Sequence, residues 1–530
     1  MSLLLREIAL SLDEEESLLP VRVAKELGLD AGAIENLRIV RRGIDARRKN
    51  RILRIFNVEF EVCDEEALLH RHDGHPRLQR GRRPDPPTIV SLCRPWKVVV
   101  VGMGPAGLFA AWYLARCGAE VTLVERGRCV EQRVRDVKKF RRQGVFDPVS
   151  NIAFGEGGAG TFSDGKLTTR VRHPWHRQVL QMLVDCGAPE SILIDAKPHV
   201  GTDRLRLVLI RFRQMLLDMG VVIRYETRLS GLTIDAGRVI GGIFDDGDEL
   251  FCDSLVLACG HSARDTYEML RSAGVAMAAK PFAMGVRVEH PAALIDRIQY
   301  GKTRHPRLPT AEYALTWNDP QTGRGVYSFC MCPGGEVVVA SSEADSVVVN
   351  GMSCLRRDGE MSNSALVVSV RPEDFDGRDP LAGMRFQRSW EHRAFLLGGG
   401  RYCAPAQNLM AFLGRGDGPV RSTCLPAVSG ADLAEALPPF VVTGLRRALP
   451  HFDRRMRGFI TAEATLVGIE TRTSAPLRIL RGNDGQSVSH AGLFPAGEGA
   501  GYAGGIMSAA LDGINIGEQI IKTVSTGSCR

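Results

Sequence analysis

The stretch VVVVGMGPAGLFAAWYLARCGAEVTLVERG, residues 98–127, decides the fold. Four consecutive valines, Val98 to Val101, predict a buried strand, and Gly102, Gly104 and Gly107 follow at Gly-x-Gly-x-x-Gly spacing where a helix begins. A second apolar run ends in Glu125, about 20 residues further on. Gly102 permits the tight turn, Gly104 leaves room for a pyrophosphate against the backbone, and Gly107 lets helix and strand close up. The helix N-terminus, entered through Pro105 and Ala106, offers free N–H groups and a positive dipole end to the phosphates. Glu125 is placed to accept hydrogen bonds from a ribose diol, and Arg126 adjoins it.

Spacing alone proves little, because 57 glycines in 530 residues predict about one chance match. The pattern starts at Gly102, Gly155 and Gly499, and context separates the copies. The last lies in GLFPAGEGAGYAGGIMSAALDG, residues 492–513, and too little chain follows for a second complete βαβ unit. It offers a strand, a turn with Gly497 and Glu498, and a helix predicted from near Gly504 and Gly505 to about Lys522. A helix N-terminus of this kind stabilises the anion of a reduced flavin; the alternative is a capped terminal helix with no ligand. In the middle copy, Gly155 to Lys166, the small residues Gly157, Gly158 and Gly160 let backbone N–H groups approach a phosphate or a flavin ring. Ser163, Asp164 and Lys166 are polar candidates there, and a surface loop is the alternative. The fingerprint by itself does not separate FAD from NAD.

These pieces resemble the glutathione-reductase-type FAD/NAD(P)-binding superfamily. There an N-terminal fingerprint holds the ADP half of FAD, a strand ending in Ala-x-Gly (here Ala258, Cys259, Gly260) precedes a chain crossing, and a late Gly-Asp motif holds the ribityl phosphate; Glu498 stands where that Asp is usual. The segments NIAFGEGGAGTFSDGKLTTR, GTDRLRLVLIRFR, VLACGHSARDTYEML, FAMGVRVEHP, FCMCPGGEVVVASSE and MSNSALVVSV are similar to a family of FAD-dependent dehydrogenases of bacteria and plastids. The resemblance implies FAD as cofactor and names no reaction.

Around the fingerprint the chain divides by pattern. Residues 1–72 read strand, helix, strand, strand, a small α+β (ferredoxin-like) domain, and 73–95, rich in Pro and Arg, read as a linker. Residues 96–276 alternate strand and helix, an α/β plan with a parallel sheet. Residues 277–459 carry short alternating runs, an inserted β-rich α+β substrate domain, after which 460–530 return to the α/β style. The expected fold is therefore a discontinuous Rossmann-like FAD-binding domain, interrupted by the insert. The N-terminal hairpin holds Arg41, Arg42, Arg47, Arg48, Lys49 and Arg51, either a solvated basic turn or an anion or RNA contact without aromatic platforms.

Composition narrows the rest. A net charge of +7, mostly from arginine, fits an anionic ligand or substrate and falls short of a nucleic-acid-binding composition. The 13 cysteines are odd in number and lack a Cys-x-x-Cys pair, which argues against a disulfide framework or zinc ribbon and for a reducing cytoplasm. The N-terminus does not read as a signal peptide, no segment reads as a membrane span, and no metal-ligand spacing is visible. The candidate reacting groups are His261, Lys166 and Cys330. Cys332 shares a strand face with Cys330, and buried structural cysteine is the alternative for both. The expectation is an FAD-dependent oxidoreductase acting on a small-molecule substrate through flavin N5, with NAD(P)H as a transient donor or a carrier protein in its place. An RNA-binding flavoprotein and a plain NAD-dependent dehydrogenase are the rival readings; oligomeric state is not encoded legibly.

Overall fold

The computed structural model describes residues 2–81, 87–302 and 305–527. At the N-terminus β1 (Leu3–Ser11), α1 (Leu19–Leu27), β2 (Glu35–Asp45), β3 (Leu53–Glu61), α2 (Glu65–Arg71) and β4 (Leu78–Arg80) form an antiparallel sheet of order β2-β3-β1-β4. Alternation puts Leu3, Leu5 and Leu10 of β1 and Phe56, Val58 and Phe60 of β3 into one core with Leu19, Val23 and Leu27 of α1. The expected linker thus begins later than residue 73. A three-residue edge strand shows no alternation, so only its pairing with Leu3 to Leu5 reveals β4. Residues 82–86 of that linker lie outside the described residues.

The second unit opens with β5 (Lys97–Val101), α3 (Pro105–Arg116), β6 (Glu120–Val124), α4 (Val130–Gln143), α5 (His176–Asp185), α6 (Thr202–Asp218) and β7 (Val222–Arg224). A meander of β8 (Leu229–Asp235), β9 (Arg238–Phe244) and β10 (Glu249–Phe251) leads to β11 (Ser254–Leu257), α7 (Arg264–Ser272) and β12 (Met277–Ala279). The insert contains β13 (Phe282–Pro291), α8 (Ala292–Tyr300), β14 (Thr316–Asn318), β15 (Gly325–Cys332), β16 (Glu336–Val339), β17 (Val349–Met352), β18 (Met361–Val370), α9 (Ala382–Leu397), β19 (Ala404–Asn408), α10 (Leu409–Phe412), β20 (Val428–Gly430), α11 (Pro439–Arg455) and β21 (Thr465–Glu470). The chain then returns through β22 (Leu477–Ile479), β23 (Leu493–Pro495) and α12 (Ile506–Gly527).

The return completes a parallel sheet of order β23-β11-β5-β6-β7. Val98 and Val100 face one core and Val99 and Val101 another, which is why this strand is apolar throughout. Helix α12 lies against α3 at glycine contacts: a Cβ on Gly513 would come 2.1 Å from the Ala106 carbonyl oxygen, and one on Gly517 would come 2.7 Å from the Tyr113 ring. The two helices that begin at the sheet's carboxyl edge are thereby fixed side by side.

The insert is built on a seven-stranded sheet of order β14-β15-β18-β13-β21-β19-β20. The boundary expected at residue 460 falls too early, since β21 pairs with both β13 and β19. All six residues of β21 are buried, so its pattern does not say which sheet it joins. One face of β13 buries Met284, Val286 and Val288 in the insert's core, while Arg287 and Glu289 sit on the other face. Among the described residues no helix is long and apolar enough to cross a membrane.

A buried charge cluster joins the two units. The Glu391 carboxylate of α9 accepts from Arg264 of α7 at 2.8 and 2.9 Å, from Arg472 just after β21 at 2.7 and 3.1 Å, and from the Thr471 hydroxyl. Against the cost of burial, the two guanidiniums hold the Glu391 carboxyl well below the usual carboxylate range. Removing the carboxylate leaves two arginines without their common partner. Glu391→Ala is expected to lower stability by about 3–5 kcal/mol, read from the urea midpoint; a loss under about 1 kcal/mol would show that the cluster does not hold the units together.

Candidate functional site

The three glycine-rich loops converge on one cleft of about 370 Å3 between the carboxyl edge of the parallel sheet and the polar face of the insert's sheet. In the first loop Gly102 has φ 102°, and a Cβ there would come 2.4 Å from the Ala258 carbonyl oxygen. A Cβ on Gly107 would lie 1.8 Å from the Gly102 oxygen, so this residue serves the helix–strand approach and sits behind the cleft wall. Gly104, the N-cap of α3, differs: a Cβ there would meet only the Gly158 Cα, at 4.0 Å. Its missing side chain is open space at a helix N-terminus, with Pro105 and Ala106 lining the cleft beside it.

Glu125, 5% exposed, accepts from the backbone N–H groups of Met103 at 2.8 Å, Gly127 at 2.9 Å and Gly155 at 3.0 Å. Three of a carboxylate's roughly four acceptor positions are thus committed to tying the first loop to the second. The sequence expectation gave Glu125 to a ribose; the structure leaves it about one acceptor position for that task. Arg126 is held by Asp265 at 3.0 and 3.2 Å and by Thr266 at 3.0 Å, with its guanidinium 4.4 Å from the centre of the Phe154 ring. Arg126 and Phe154 both line the cleft.

The second loop is organised by Arg133 of α4, which is fully buried. It donates to the carbonyls of Asn151, Ile152, Gly155, Glu156 and Gly158 at 2.6–3.2 Å and to the Thr161 hydroxyl at 3.2 Å. The loop, so gathered, lays Gly158 against Gly104 and Gly160 against Ile506 at the start of α12. Gly157 points away and packs on Leu209. In the third loop Gly497 packs on Ala106, again behind the wall, whereas Gly504 and Gly505 face open space and border the cleft just before α12. Gly260, φ 74°, likewise faces open space.

His261, Lys166 and Cys330 come together on this cleft, although they lie in different parts of the chain. Glu498 lies 3.9 Å from His261. Burial, with Arg472 and Arg264 nearby, pushes the His261 imidazole down to about 4, so it is neutral near pH 7. Burial pushes the Glu498 carboxyl up to about 7. Lys166 is held up, against burial, by Cys332, Cys330 and Asp164, and its Nζ is 3.6 Å from the buried Asp164 carboxylate.

Sequence reasoning missed the wall supplied by the insert: Phe329, Asn350, Glu470, Arg472 and Thr473. Behind it Arg287 pairs with Glu470 and donates to the Asn350 and Asn363 side chains at 2.8 Å and to the Cys330 carbonyl at 3.0 Å. The one available signal was Arg287, Glu289 and His290 in the otherwise apolar run FAMGVRVEHP.

The donor set fits an extended dinucleotide. Gly260, Gly504 and Gly505, whose Cβ would meet nothing, and Gly104, whose Cβ would only touch the Gly158 Cα at 4.0 Å, give room for close backbone approach, and two helix N-termini supply N–H groups and positive dipole ends. Two of the family models that match this chain name FAD. Residues 97–148 match a family described as FAD dependent oxidoreductase, 281–473 one described as FAD-dependent protein, C-terminal domain-like, and 3–62 a domain of unknown function. A Clostridium beijerinckii protein described as uncharacterised is 44% identical over 530 residues, covering 98% of this chain and 99% of its own length. Among solved structures, the flavin-dependent brominase Bmp2 is similar with a TM-score of 0.38 at 13% identity, over 82% of this chain and 80% of its own. A 3-ketosteroid-Δ4-(5α)-dehydrogenase from Rhodococcus jostii RHA1 is similar with a TM-score of 0.34 at 14% identity, over 83% and 98%.

Two outcomes follow from this geometry. Gly104→Val fills the cleft without a clash in the protein itself, so the variant should keep its thermal midpoint as apoprotein yet purify without FAD; full flavin occupancy would contradict the assignment of this loop. Glu498, raised from 4.5 to about 7, favours the folded state while protonated, and that contribution is lost as pH rises from about 4.5 through about 7. His261 contributes to both proteins alike, so from about pH 5 to about 7 the thermal midpoint of the apoprotein should fall more steeply, or rise less, in the wild type than in Glu498→Gln. Equal slopes would place the Glu498 carboxyl at an ordinary value.

Proposed function

Since the chain belongs to the family of the Clostridium beijerinckii protein, and its parts match FAD-dependent families, we propose that it moves an electron pair, as hydride through flavin N5, to or from a small organic substrate held against the insert's sheet. The chain is an FAD-dependent enzyme. One observation carries the finer reading: the three glycine-rich loops and the candidates His261, Lys166 and Cys330 border a single cleft whose opposite wall comes from the inserted domain. The arrangement proposed is a discontinuous Rossmann-like domain that holds the cofactor and a β-rich insert that presents the substrate.

FAD, when bound, supplies reversible two-electron chemistry. The rest is the work of the chain. Gly102 to Gly107 and the N-terminus of α3 would hold the diphosphate, with Glu125 limited to one ribose contact. Gly504, Gly505 and the start of α12 would present N–H groups to the flavin end. Lys166 keeps a positive charge in the cleft, paired only loosely with Asp164 at 3.6 Å. His261 near pH 7 is a neutral imidazole, and Glu498 beside it is the group whose proton is held or released at that pH. The insert's sheet closes the cleft from one side, and the Arg264–Glu391–Arg472 cluster holds it there.

A nicotinamide donor would share the substrate's approach, because the chain's sequence offers a single complete dinucleotide fingerprint. The RNA reading gains nothing: Arg42 is paired with Asp195 at 2.6 Å and Arg47 with Asp45, so the hairpin's charges are partly satisfied within the fold. The test is anaerobic mixing of the oxidised holoprotein with NADH, NADPH and panels of organic reductants, followed by flavin absorbance. Rapid bleaching by at least one organic compound or nicotinamide is expected. Flavin that is bleached only by dithionite, with every candidate inert, would remove the dehydrogenase reading.

A further inference from the structure

The sequence offers Cys330 as a candidate reacting group with Cys332 two residues on, without the Cys-x4-Cys spacing of flavin-linked disulfide reductases. The structure gives them an unusual setting. Strand β15 pairs regularly with β18 up to Phe329, then shifts register before Cys332. Cys330 sits in the resulting bulge with φ 43°, a left-handed conformation that non-glycine residues adopt only when their surroundings impose it. The imposition comes from Arg287, fully buried, which donates to the Cys330 carbonyl at 3.0 Å while Glu470 and Asn350 fix its other nitrogens. The bulge re-aims Cys330, and its side chain borders the cleft together with Lys166.

Cys332 stands directly behind. It is fully buried, and its S–H donates to the Cys330 carbonyl oxygen at 3.5 Å while Arg287 lies 4.0 Å from its Sγ. Two residues span at most about 7 Å of chain, the upper edge of the Cα separation a disulfide bridges. Charge favours the thiolate of the cleft-side partner: the neighbouring Cys332, Arg287 and Lys166 together draw the Cys330 thiol well below its ordinary range. Cys259, which borders the same cleft, is a contrast, since burial pushes its thiol up to about 12. At Cys259 burial outweighs the one nearby cation, Arg126, whereas at Cys330 the neighbouring Cys332, Arg287 and Lys166 outweigh it.

We propose that Cys330 and Cys332 form a redox-active pair that exchanges electrons with FAD bound in the cleft, with Cys330 as the outer sulfur and Cys332 as the resolving one. In the oxidising direction the two S–H bonds break and one S–S bond forms. The electron pair and one proton go to the oxidised flavin, and the second proton goes to water in the cleft. In the reverse direction reduced flavin restores both thiols, so the protein stores one electron pair beyond the cofactor's own. A disulfide closed over so short a loop is strained and readily reduced, which suits a reversible store rather than a structural staple. The proposal rests on the cleft being the FAD site.

The experiment uses the holoprotein, air-oxidised and then titrated anaerobically with dithionite. Wild type should take up about four electrons per flavin, and Cys330→Ser and Cys332→Ser about two each. The second measurement needs no variant. Oxidised wild type is alkylated under denaturing conditions and its peptides are weighed: the peptide spanning residues 330–332 should carry no label and be lighter by two hydrogens, and should carry two labels after full reduction. A flavin-replete protein whose oxidised form is already doubly labelled there, and which takes up about two electrons per flavin, would overturn the dithiol proposal alone. Protein that is colourless and refuses added FAD would overturn the reading of the cleft as well.

Discussion

The buried guanidinium of Arg133 is the constraint on which the site depends. A segment as rich in glycine as residues 151–160 has few side chains with which to hold itself, and its carbonyls would be costly to bury unmatched. Arg133 satisfies five of them from one planar fork and stacks 4.9 Å from the Phe162 ring centre. Burial lowers the guanidinium's proton affinity to about 10, still far above neutrality, so the donor fork is charged throughout the working range. Glu125 performs the complementary task with amide N–H groups. A cation gathering carbonyls and an anion gathering amides thereby fold two flexible loops onto each other, leaving Gly104 and Gly158 face to face along the cleft.

From that anchored floor the remaining architecture follows by packing. Helix α12 reaches the cleft because Gly513 and Gly517 let it lie close on α3, and the first turn of each helix then borders the same space. The opposite wall is less conventional. A β-sheet that would otherwise bury apolar side chains on both faces instead carries Arg287, Glu289, Asn363 and Glu470, all buried. Such groups are expensive in a core unless they are paired, and here Arg287, Glu289 and Glu470 are paired with one another, with the backbone, and with Ser422 and Thr423, while the Asn363 side-chain oxygen accepts from Arg287. The expense is intelligible if the face exists to shape a polar, water-poor wall for chemistry.

Residues 98–127 by themselves determined the parallel sheet, the glycine turn, the helix start and the acid at the end of the second strand, because each follows from local sterics and from hydrophobic periodicity. The same local rules placed the N-terminal unit and the terminal helix. Only the tertiary structure decided that β21 belongs to the insert, that Gly157 and Gly497 pack on Leu209 and Ala106 behind the cleft wall, and that Glu125 spends most of its acceptors on backbone amides. Only it could bring Lys166, His261, Cys330 and Glu498 to one cleft, since they are separated by up to hundreds of residues along the chain. A sequence states which side chains alternate and which turns are sterically allowed; which distant carbonyl a guanidinium satisfies, and which thiol a bulge turns toward a cavity, is fixed only when the sheets pack.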